Sequence, residues 1–260
     1  MALNNYSKFY YGQTITRTNL YLNFQEDGDP LTARVEIGAY TLTSLAGKVA
    51  TALNAIGDYE YEVSVDRASR KYTISTAGGE PFSLLIFTGA NSTASAFGIL
   101  GFTGVADLTG SNSYEAAEGC GYEYITQTPL ANFSDFKHNK EKQDASVNET
   151  VEGLTEVISY STIERMKCDF PLITNVTPQK YIRETATGLQ EAEAFLDYCI
   201  TKAPIEFMEL HTNSEIFTTC ILDKTDKNSK GVGYTLKEKV RQSLPFYYEI
   251  KGLTFKKIEG

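Results

Sequence analysis

This 260-residue sequence has no tryptophan and few of the imidazole and thiol side chains that bind transition metals, with two histidines and four cysteines. His138 and His211 have no Cys, Asp or Glu at a recognised metal-ligand spacing, and no two cysteines form a CxxC pair. Asp27 and Asp29 flank Gly28, but the twelve-residue calcium loop with its closing Glu is missing. We therefore predict no metal site, two histidines without a ligand role, and a simple turn at Gly28.

Motifs for nucleophilic, metalloprotease and phosphate-binding chemistry are also missing, since the sequence has no GxSxG, HExxH or GxxxxGK[ST]. The segments Gly119–Gly121 and Gly231–Gly233 lack a third glycine and the strand–helix context of a dinucleotide site. Glu60 and Glu62 share one face of a predicted strand, and paired carboxylates serve acid–base catalysis in glycosidases. Nothing places this pair in a cleft, so we interpret it as a solvated face. We predict no catalytic residue, no cofactor-binding residue and no cofactor.

Basic residues are outnumbered, because 24 Lys and Arg against 33 Asp and Glu give a net charge of −9. Binding to a phosphate backbone depends on clustered Lys and Arg, so we expect no specific nucleic-acid binding. No apolar run approaches the ~18 residues that a membrane span needs. The start, Met1–Tyr6, has neither the charged nor the apolar region of a signal peptide. We expect no membrane span, no export by a signal peptide, and reduced cysteines in a protein assembled in a cytosol.

Aromatic residues are abundant, with 17 Tyr and 14 Phe. Tyr combines a large apolar body with a polar tip, which suits strand surfaces and protein interfaces equally well. Several aromatics cluster in the first residues, and Leu20, Leu22 and Phe24 alternate as one face of a strand. We interpret residues 1–29 as an extended arm that either covers the core of its own domain or docks on a neighbouring subunit.

Residues 31–104 predict a helix packed on an antiparallel sheet. The helix Thr43–Asn54 has an apolar stripe at helical spacing, with Thr43 as its N-cap and Gly57 as its C-terminal stop. The predicted strands are Leu31–Ile37, the hairpin of Tyr59–Val65 and Lys71–Thr76, and the continuous apolar run Phe82–Phe87, which indicates a buried strand.

The following segment is rich in small residues, and Ser92 or Thr93 is expected to cap a short helix there. Residues 104–122 are expected to form a loop. We place a boundary between residues 121 and 144, near a polar run at residues 137–144. This divides the chain into an N-terminal unit over residues 1–128 and a C-terminal unit over residues 129–260.

The second half predicts long polar-alternating strands and one helix, Thr187–Lys202, with Phe195, Leu196 and Ile200 in its apolar stripe. Its predicted strands are a first one from Val147 to Tyr160, a hairpin partner Arg165–Phe170 that ends at Pro171, then Pro204–Leu210, Ile216–Leu222, Phe246–Ile250 and Leu253–Ile258. Three cysteines occupy apolar-patterned positions and are predicted to lie in the core: Cys168, Cys199 and Cys220. The fold class is therefore α+β, with two mainly antiparallel units that each carry one principal amphipathic helix.

The strands around Val147–Ser161 contain few apolar residues, so they suit a self-contained core poorly. An exposed sheet edge accepts another chain by strand addition. We therefore expect part of this region to pair with another subunit.

Short segments over about residues 10–125 resemble structural proteins of tailed bacteriophage virions. The matching segments are Gly38–Leu45, Ala52–Asn54, Tyr61–Arg67 with Arg70, Thr73–Ile74, Phe82–Leu85, Thr88–Gly89, Leu100–Gly104, Asp107 and Thr109–Gly110. The second half is more loosely similar to tail-associated phage proteins, at Ala203–Phe207, Gly233–Leu236 and Tyr247–Phe255.

The resemblance implies a non-enzymatic virion component that is assembled in the bacterial host cytoplasm. Such proteins form homo-oligomeric rings, often sixfold, that contact tube, baseplate or neck proteins. A distal tail or baseplate-ring subunit is the first expectation, a neck or tail-terminator protein the second, and a capsid-associated protein the third. The resemblance supplies no catalytic residue.

Two other functions compete with a structural role. A phage-associated hydrolase of cell-envelope sugar would need two acidic residues that face each other in a cleft. A carbohydrate- or receptor-binding module would need Tyr residues along an exposed groove.

Overall fold

The computed structural model describes residues 6–127, 136–149, 155–174, 189–208, 217–224, 237–241 and 244–258. Within these ranges the chain forms two helices, α1 (Leu42–Asn54) and α2 (Leu189–Ile200). The strands are β1 (Tyr6–Tyr11), β2 (Gln13–Ile15), β3 (Tyr21–Glu26), β4 (Asp29–Arg34), β5 (Gly38–Tyr40), β6 (Tyr61–Asp66), β7 (Lys71–Thr76), β8 (Phe82–Leu84), β9 (Leu108–Ser111), β10 (Ser113–Glu115), β11 (Tyr122–Gln127), β12 (Phe136–Glu149), β13 (Thr155–Thr174), β14 (Ile205–Met208), β15 (Phe217–Lys224), β16 (Lys237–Arg241) and β17 (Leu244–Lys257). The architecture is α+β with mostly antiparallel sheets.

The chain divides into two compact units, one nested in the sequence of the other. The inserted unit is Tyr10–Glu123, and the host unit combines Met1–Phe9 with Tyr124–Gly260. The sequence predicted two contiguous units that meet at residue 128. The division seen in the structure differs from it because Met1–Phe9 group with the C-terminal part of the chain.

Three small sheets build the inserted unit. Their strand orders are β2-β5, β4-β3-β8-β9 and β10-β7-β6. The predicted hairpin over residues 59–76 is confirmed as the β6–β7 pair, and β3 and β4 form a second hairpin. Asp27 and Gly28 occupy the two-residue turn of that second hairpin with φ of 46° and 95°, which is the backbone of a tight hairpin turn and confirms the turn predicted at Gly28.

Helix α1 packs its apolar stripe, Leu42, Leu45, Ala46, Val49, Ala52 and Leu53, into the core of the inserted unit. The N-cap is Thr41 and not Thr43 as predicted. The Thr41 hydroxyl accepts the Ser44 N–H at 3.1 Å, and the Ser44 hydroxyl accepts the Thr41 N–H at 2.9 Å. This reciprocal pair satisfies backbone donors that the first helical turn leaves unpaired.

Gly57 follows the helix, as predicted, but its role is different. The C-cap is Ala55, and the Gly57 N–H donates to Leu53 O at 2.8 Å. A Cβ at Gly57 would overlap Glu26 Oε1, so this position needs glycine for space.

A row of four aromatic rings joins two of the small sheets. Phe24, Tyr61, Phe82 and Tyr114 meet edge to face in sequence, with centroid distances of 5.5, 5.2 and 5.0 Å. All four side chains are buried. Edge-to-face contact aligns the positive ring edge with the negative ring face, which adds to the stabilisation from burial.

The region after β7 differs from its prediction. The apolar run at residues 82–87 forms the short strand β8 and then leaves the core, so that Phe87 is 63% exposed. The predicted helix after Ser92 is only a 3₁₀ turn, Ser92–Ala94, without a side-chain cap. The expected loop at 104–122 contains β9 and β10, because Gly and Asn there serve short strands and their turns.

One sheet of eight strands forms the host unit, in the order β11-β1-β14-β15-β17-β13-β12, with β16 beside β17. Strand β1 brings Phe9 into the core, where its ring lies 4.9, 4.7 and 5.7 Å from those of Phe195, Phe207 and Phe255. The aromatic arm therefore covers the core of its own chain at Phe9. Helix α2 is confirmed, with Phe195, Leu196 and Cys199 buried, whereas Ile200 is 37% exposed.

The host-unit strands are longer than predicted. The polar run at residues 137–144, expected to mark the boundary, lies inside β12. Residues 157–170, expected to contain a hairpin, belong to the single strand β13, which continues past Pro171 with register shifts against β17 on either side of Phe170. The two predicted C-terminal strands are one, β17. Pro171 has no N–H to donate, and it is tolerated in β13 because the pairing with β17 is irregular at that point.

The described ranges contain no helix that is both long and apolar enough to cross a membrane.

Candidate functional site

The longest hairpin among the described residues extends beyond the sheet that holds it. Strands β12 and β13 pair from Phe136↔Cys168 to Glu149↔Thr155 in one unbroken antiparallel register. On its other side β13 pairs with β17 only from Arg165 onward. Residues 141–149 and 155–163 therefore form a two-stranded segment, called the hairpin ribbon below, about 27 Å long at a strand rise of about 3.4 Å per residue.

Both edges of the hairpin ribbon lack a neighbouring strand among the residues that the structure places. Strand β12 ends the host sheet, and β17 stops at Lys257, level with the start of the ribbon. An isolated two-stranded hairpin is only marginally stable in water, because it has no third strand or packed layer. The ribbon is therefore the part of the host unit that gains most from an added strand.

Two ion pairs fix the root of the ribbon, at consecutive residues of β13. Arg165 Nε lies 2.8 Å from Asp223 Oδ2 on β15, with both side chains less than a quarter exposed (21% and 24%). Glu164 Oε2 lies 3.5 Å from Lys257 Nζ on β17. Successive residues of a strand point to opposite faces, so the two pairs hold β13 from both faces of the sheet. Met166, next along the strand, is buried.

Glu26 is a buried carboxylate in the inserted unit that the sequence reading missed. It is 5% exposed and accepts the Tyr61 hydroxyl at 2.8 Å and the Asp58 N–H at 2.8 Å. Burial and the hydrogen bond to Glu26 raise the pKa of the Tyr61 phenol far above its ordinary value, so the hydroxyl remains a donor. The partners are 35 and 32 residues away in sequence, so no local motif marks them. This arrangement satisfies buried polar atoms and fixes the turn after α1.

Two exposed apolar side chains of the inserted unit lie in segments that Asp107 joins. Phe87 is 63% exposed and Val105 is 90% exposed. Asp107 holds the two segments together, because Oδ1 accepts the Phe87 N–H at 2.7 Å and the Thr88 N–H at 3.1 Å, and Oδ2 accepts the Thr88 hydroxyl. Burial opposes ionisation of Asp107, but these hydrogen bonds outweigh it and lower the pKa of the carboxyl. The hydrogen bonds to Asp107 therefore fix the backbone that presents the exposed Phe87 ring.

The cysteines whose side chains the structure describes lie in the core. Cys120, Cys199 and Cys220 are buried and free, which confirms the prediction for Cys199 and Cys220. Burial raises the pKa of Cys120 to about 12 and that of Cys220 and Cys199 well above the ordinary thiol value. Thiols of this kind remain protonated at neutral pH and are poor nucleophiles. Cys168 lies on β13 opposite Leu253 of β17.

The remaining candidate residues from the sequence do not come together in one site. His138 lies on β12 opposite Met166, and His211 and Gly231–Gly233 fall outside the described residues. Glu60 and Glu62 are exposed, as predicted. At Gly119–Gly121, the Cys120 N–H donates to Arg70 O at 2.8 Å and Arg70 Nη1 donates to Gly121 O at 3.0 Å, so this segment closes a loop. Among the residues with a defined placement, no group of three His, Cys, Asp or Glu has metal-binding geometry.

No protein-family model matches this chain, and no curated protein sequence matches it either.

Proposed function

We propose that this protein is a non-enzymatic structural component of a tailed-phage virion, and that it forms a homo-oligomeric ring in the distal tail or baseplate region. In this proposal the chain supplies two mainly antiparallel units, each with one principal amphipathic helix, as a building block. The ring is sixfold in the form that the family resemblance implies, and its neighbours are other tail proteins. Assembly takes place in the host cytoplasm.

The observation that carries the proposal is the hairpin ribbon. Its backbone donors and acceptors face outward along both edges in the described part of the chain, and its root is anchored by the Arg165–Asp223 and Glu164–Lys257 pairs. A rigidly rooted ribbon that cannot complete its own sheet suits a protein whose stable form is an assembly. The resembling segments between Gly38 and Gly110, which include Tyr61–Arg67 and Leu100–Gly104, lie in the inserted unit.

The free, buried cysteines add a second line of support. Cys120, Cys199 and Cys220 are reduced and shielded, which suits folding in a reducing compartment. The net charge of −9 suits contacts with other proteins better than contacts with packaged nucleic acid.

Electron microscopy tests the proposal directly. The particle produced from the same genome is labelled with an antibody against this chain, and the purified protein is imaged by negative stain. We expect label at the distal end of the tail and ring-shaped particles in the purified sample. Label at the head–tail junction would replace the distal assignment with a neck or tail-terminator role. Particles without label would contradict a virion component altogether.

The exposed pair Phe87 and Val105 favours a second candidate, a receptor- or carbohydrate-binding tail module. Exposed apolar side chains held by a fixed loop can stack on sugar faces. A glycan array probed with the full chain tests it, with Phe87→Ser expected to abolish binding. Ile56→Ser is the matched control, because Ile56 is a comparably exposed apolar residue (49%) at a different place on the inserted unit. Equal signals from both variants would exclude Phe87 from the binding surface.

A further inference from the structure

We propose that strand β12 pairs antiparallel with β12 of a second copy of this chain, about a twofold axis at Gln143. The paired segment is residues 137–149 of each copy, within Phe136–Glu149. The inference goes beyond the virion role and does not depend on it, because it concerns the purified chain alone.

The first argument is the form of the edge. Strand β12 is 14 residues long and contains neither proline nor glycine. Its pairing with β13 keeps one register from end to end, without a bulge. Monomeric proteins usually blunt an exposed edge with a bulge, a proline or a short strand, and β12 has none of these. Its second edge has no partner within the described ranges. It does carry Lys137, Lys140 and Lys142, which would repel many approaching strands.

The second argument is geometric and restricts the possible registers. A twofold axis between two antiparallel strands of one sheet runs perpendicular to the sheet and keeps each residue on its own face. Residues directly opposite each other point to the same face, and faces alternate along a strand. The residue numbers of two opposed residues therefore differ by an even number. One residue must then lie on the axis, opposite the same residue of the second copy. The residues near the middle of β12 are the candidates: Lys142, Gln143 and Asp144.

The third argument is charge, and it selects one of these three. With Gln143 on the axis, Lys142 lies opposite Asp144 and Lys137 lies opposite Glu149, and each pair occurs twice by symmetry. With Lys142 on the axis, two lysines face each other, and with Asp144 on the axis, two aspartates do. Opposite charges across a strand pair stabilise it and like charges destabilise it. In the Gln143 register two of the three lysines, Lys137 and Lys142, lie opposite acids, the third, Lys140, lies opposite Ser146, and no like charges face each other.

A contact of this type closes at two copies, because the same patch is used on both sides. It is therefore distinct from the head-to-tail contacts that build a ring. The second copy brings its own β12 and β13, so the two hairpin ribbons would together form a four-stranded sheet, which removes the marginal stability of two isolated strands.

Cysteine cross-linking reads the register. In Gln143→Cys the two introduced thiols would face each other, at the Cα separation of an antiparallel pair, which a disulfide spans. Under mild oxidation we expect a covalent dimer of this full-length variant on non-reducing gels. Lys140→Cys is the matched control on the same strand, since residue 140 lies opposite Ser146 and far from its own copy. An equimolar mixture of Lys140→Cys and Ser146→Cys should cross-link, whereas each alone should not. Cross-linking of Lys140→Cys alone, or none at Gln143→Cys, would overturn this register.

Charge reversal tests the same contact without any cross-link. Lys142→Glu alone places Glu opposite Asp144 twice, and Asp144→Lys alone places Lys opposite Lys142 twice. Each single variant should raise the dimer dissociation constant at least about tenfold, because two attractive cross-strand pairs become repulsive. Mixed one to one, the two variants complement each other at both positions and should dimerise like the unmodified chain. Sedimentation velocity gives the masses.

The outcomes separate the two proposals. Circular dichroism that matches the unmodified chain shows that each variant is folded. Monomers in every folded sample, the unmodified chain included, would overturn the β12 contact but leave the virion proposal to the microscopy. A mixture that dimerises no better than the single variants would also overturn it. If the two charge variants complement each other but the antibody never labels a phage particle, the β12 contact would be supported and the virion role contradicted.

Discussion

The inserted unit and the hairpin ribbon use strands in opposite ways. In the inserted unit the strands β2 to β10 are three to six residues long, and aromatic rings join their small sheets. The hairpin of the host unit has strands of 14 and 20 residues, and part of it extends beyond the sheet. Short strands around shared aromatic residues make a self-contained core, whereas long strands with an open edge depend on what is added to them.

Removing a ring from the aromatic row should have the largest effect. Phe24 is 0% exposed, and Phe24→Ala should lower the free energy of unfolding by about 3–5 kcal/mol. Scanning calorimetry of the full chain measures it. Phe87→Ala is the control, because that ring is 63% exposed and its loss should change stability by less than about 0.5 kcal/mol. Equal losses would mean that the row is not the core of the inserted unit.

The hydrogen bond from the Tyr61 hydroxyl of the aromatic row to Glu26 should have the next largest effect. Tyr61→Phe keeps the ring but leaves Glu26 Oε1 without its 2.8 Å donor, so we expect a loss of about 1–3 kcal/mol in urea denaturation. Tyr59→Phe is the control, because it removes the hydroxyl of a neighbouring tyrosine that bonds to the exposed Asp27, and it should destabilise the protein much less than Tyr61→Phe does. A Tyr61→Phe protein as stable as the parent would show that Glu26 finds another donor.

The buried thiol of Cys120 predicts a pH dependence. Its pKa is about 12 in the folded protein against an ordinary value of 9.0, because the site is buried. Between these values the unfolded chain has lost the proton and the folded protein keeps it, so stability is full below pH 9.0 and falls as pH rises. The slope is about 1.4 kcal/mol per pH unit for one thiol. Cys120→Ala should reduce the measured slope by that amount between about pH 9 and 10.5. An unchanged slope would mean that the thiol titrates normally in the folded state.

Capping of α1 gives a smaller, position-specific effect. Thr41→Ala removes the acceptor for the Ser44 N–H and should destabilise the inserted unit by about 1 kcal/mol. Thr43→Ala, one residue inside the helix and exposed, should cost only a few tenths of a kcal/mol. Thermal denaturation of both variants checks the assignment, and the reverse order would restore Thr43 as the cap.

The ion pairs at the ribbon root should give the smallest effects. Arg165→Gln removes a 2.8 Å contact between half-buried groups and should cost about 0.5–1 kcal/mol. Lys257→Gln removes a 3.5 Å contact of a more exposed lysine and should cost less than about 0.3 kcal/mol. Denaturant titration compares the two. A larger loss from Lys257→Gln would mean that the root is held mainly on the β17 side.

Sequence reasoning found the elements whose signal is local. Helix α1 and the β6–β7 hairpin follow directly from residue spacing, and the alternation of Leu20, Leu22 and Phe24 is confirmed because all three are buried. The same reasoning misplaced the helix cap by two residues, since Thr41 and Thr43 are equally good acceptors and only the backbone geometry decides between them.

Sequence reasoning failed for strands that form because a neighbouring strand supplies their hydrogen-bond partners. The polar run at residues 137–144 indicated a unit boundary, yet these residues form part of β12 because β13 supplies hydrogen-bond partners along their length. Pro171 indicated a strand end, but a local register shift accommodates it. The partners of Glu26 could not be read from the sequence, since they lie more than 30 residues away. The candidate surface was predicted as a strand region around Val147–Ser161 with an edge open to another subunit, but neither the strand that carries this edge, β12, nor its register followed from the sequence.

The nested order of the two units has a consequence for synthesis on the ribosome. Phe9 emerges before the inserted unit, but its ring partners Phe195, Phe207 and Phe255 emerge only after it. The inserted unit is complete before Phe195 is synthesised, so it can fold while β1, the N-terminal strand of the host sheet, still lacks its partner strand β14. Closing that sheet is therefore the slow, late step of maturation, since it joins the most distant parts of the chain. A nascent chain arrested before residue 189 should already protect the inserted unit from protease and leave Phe9 accessible.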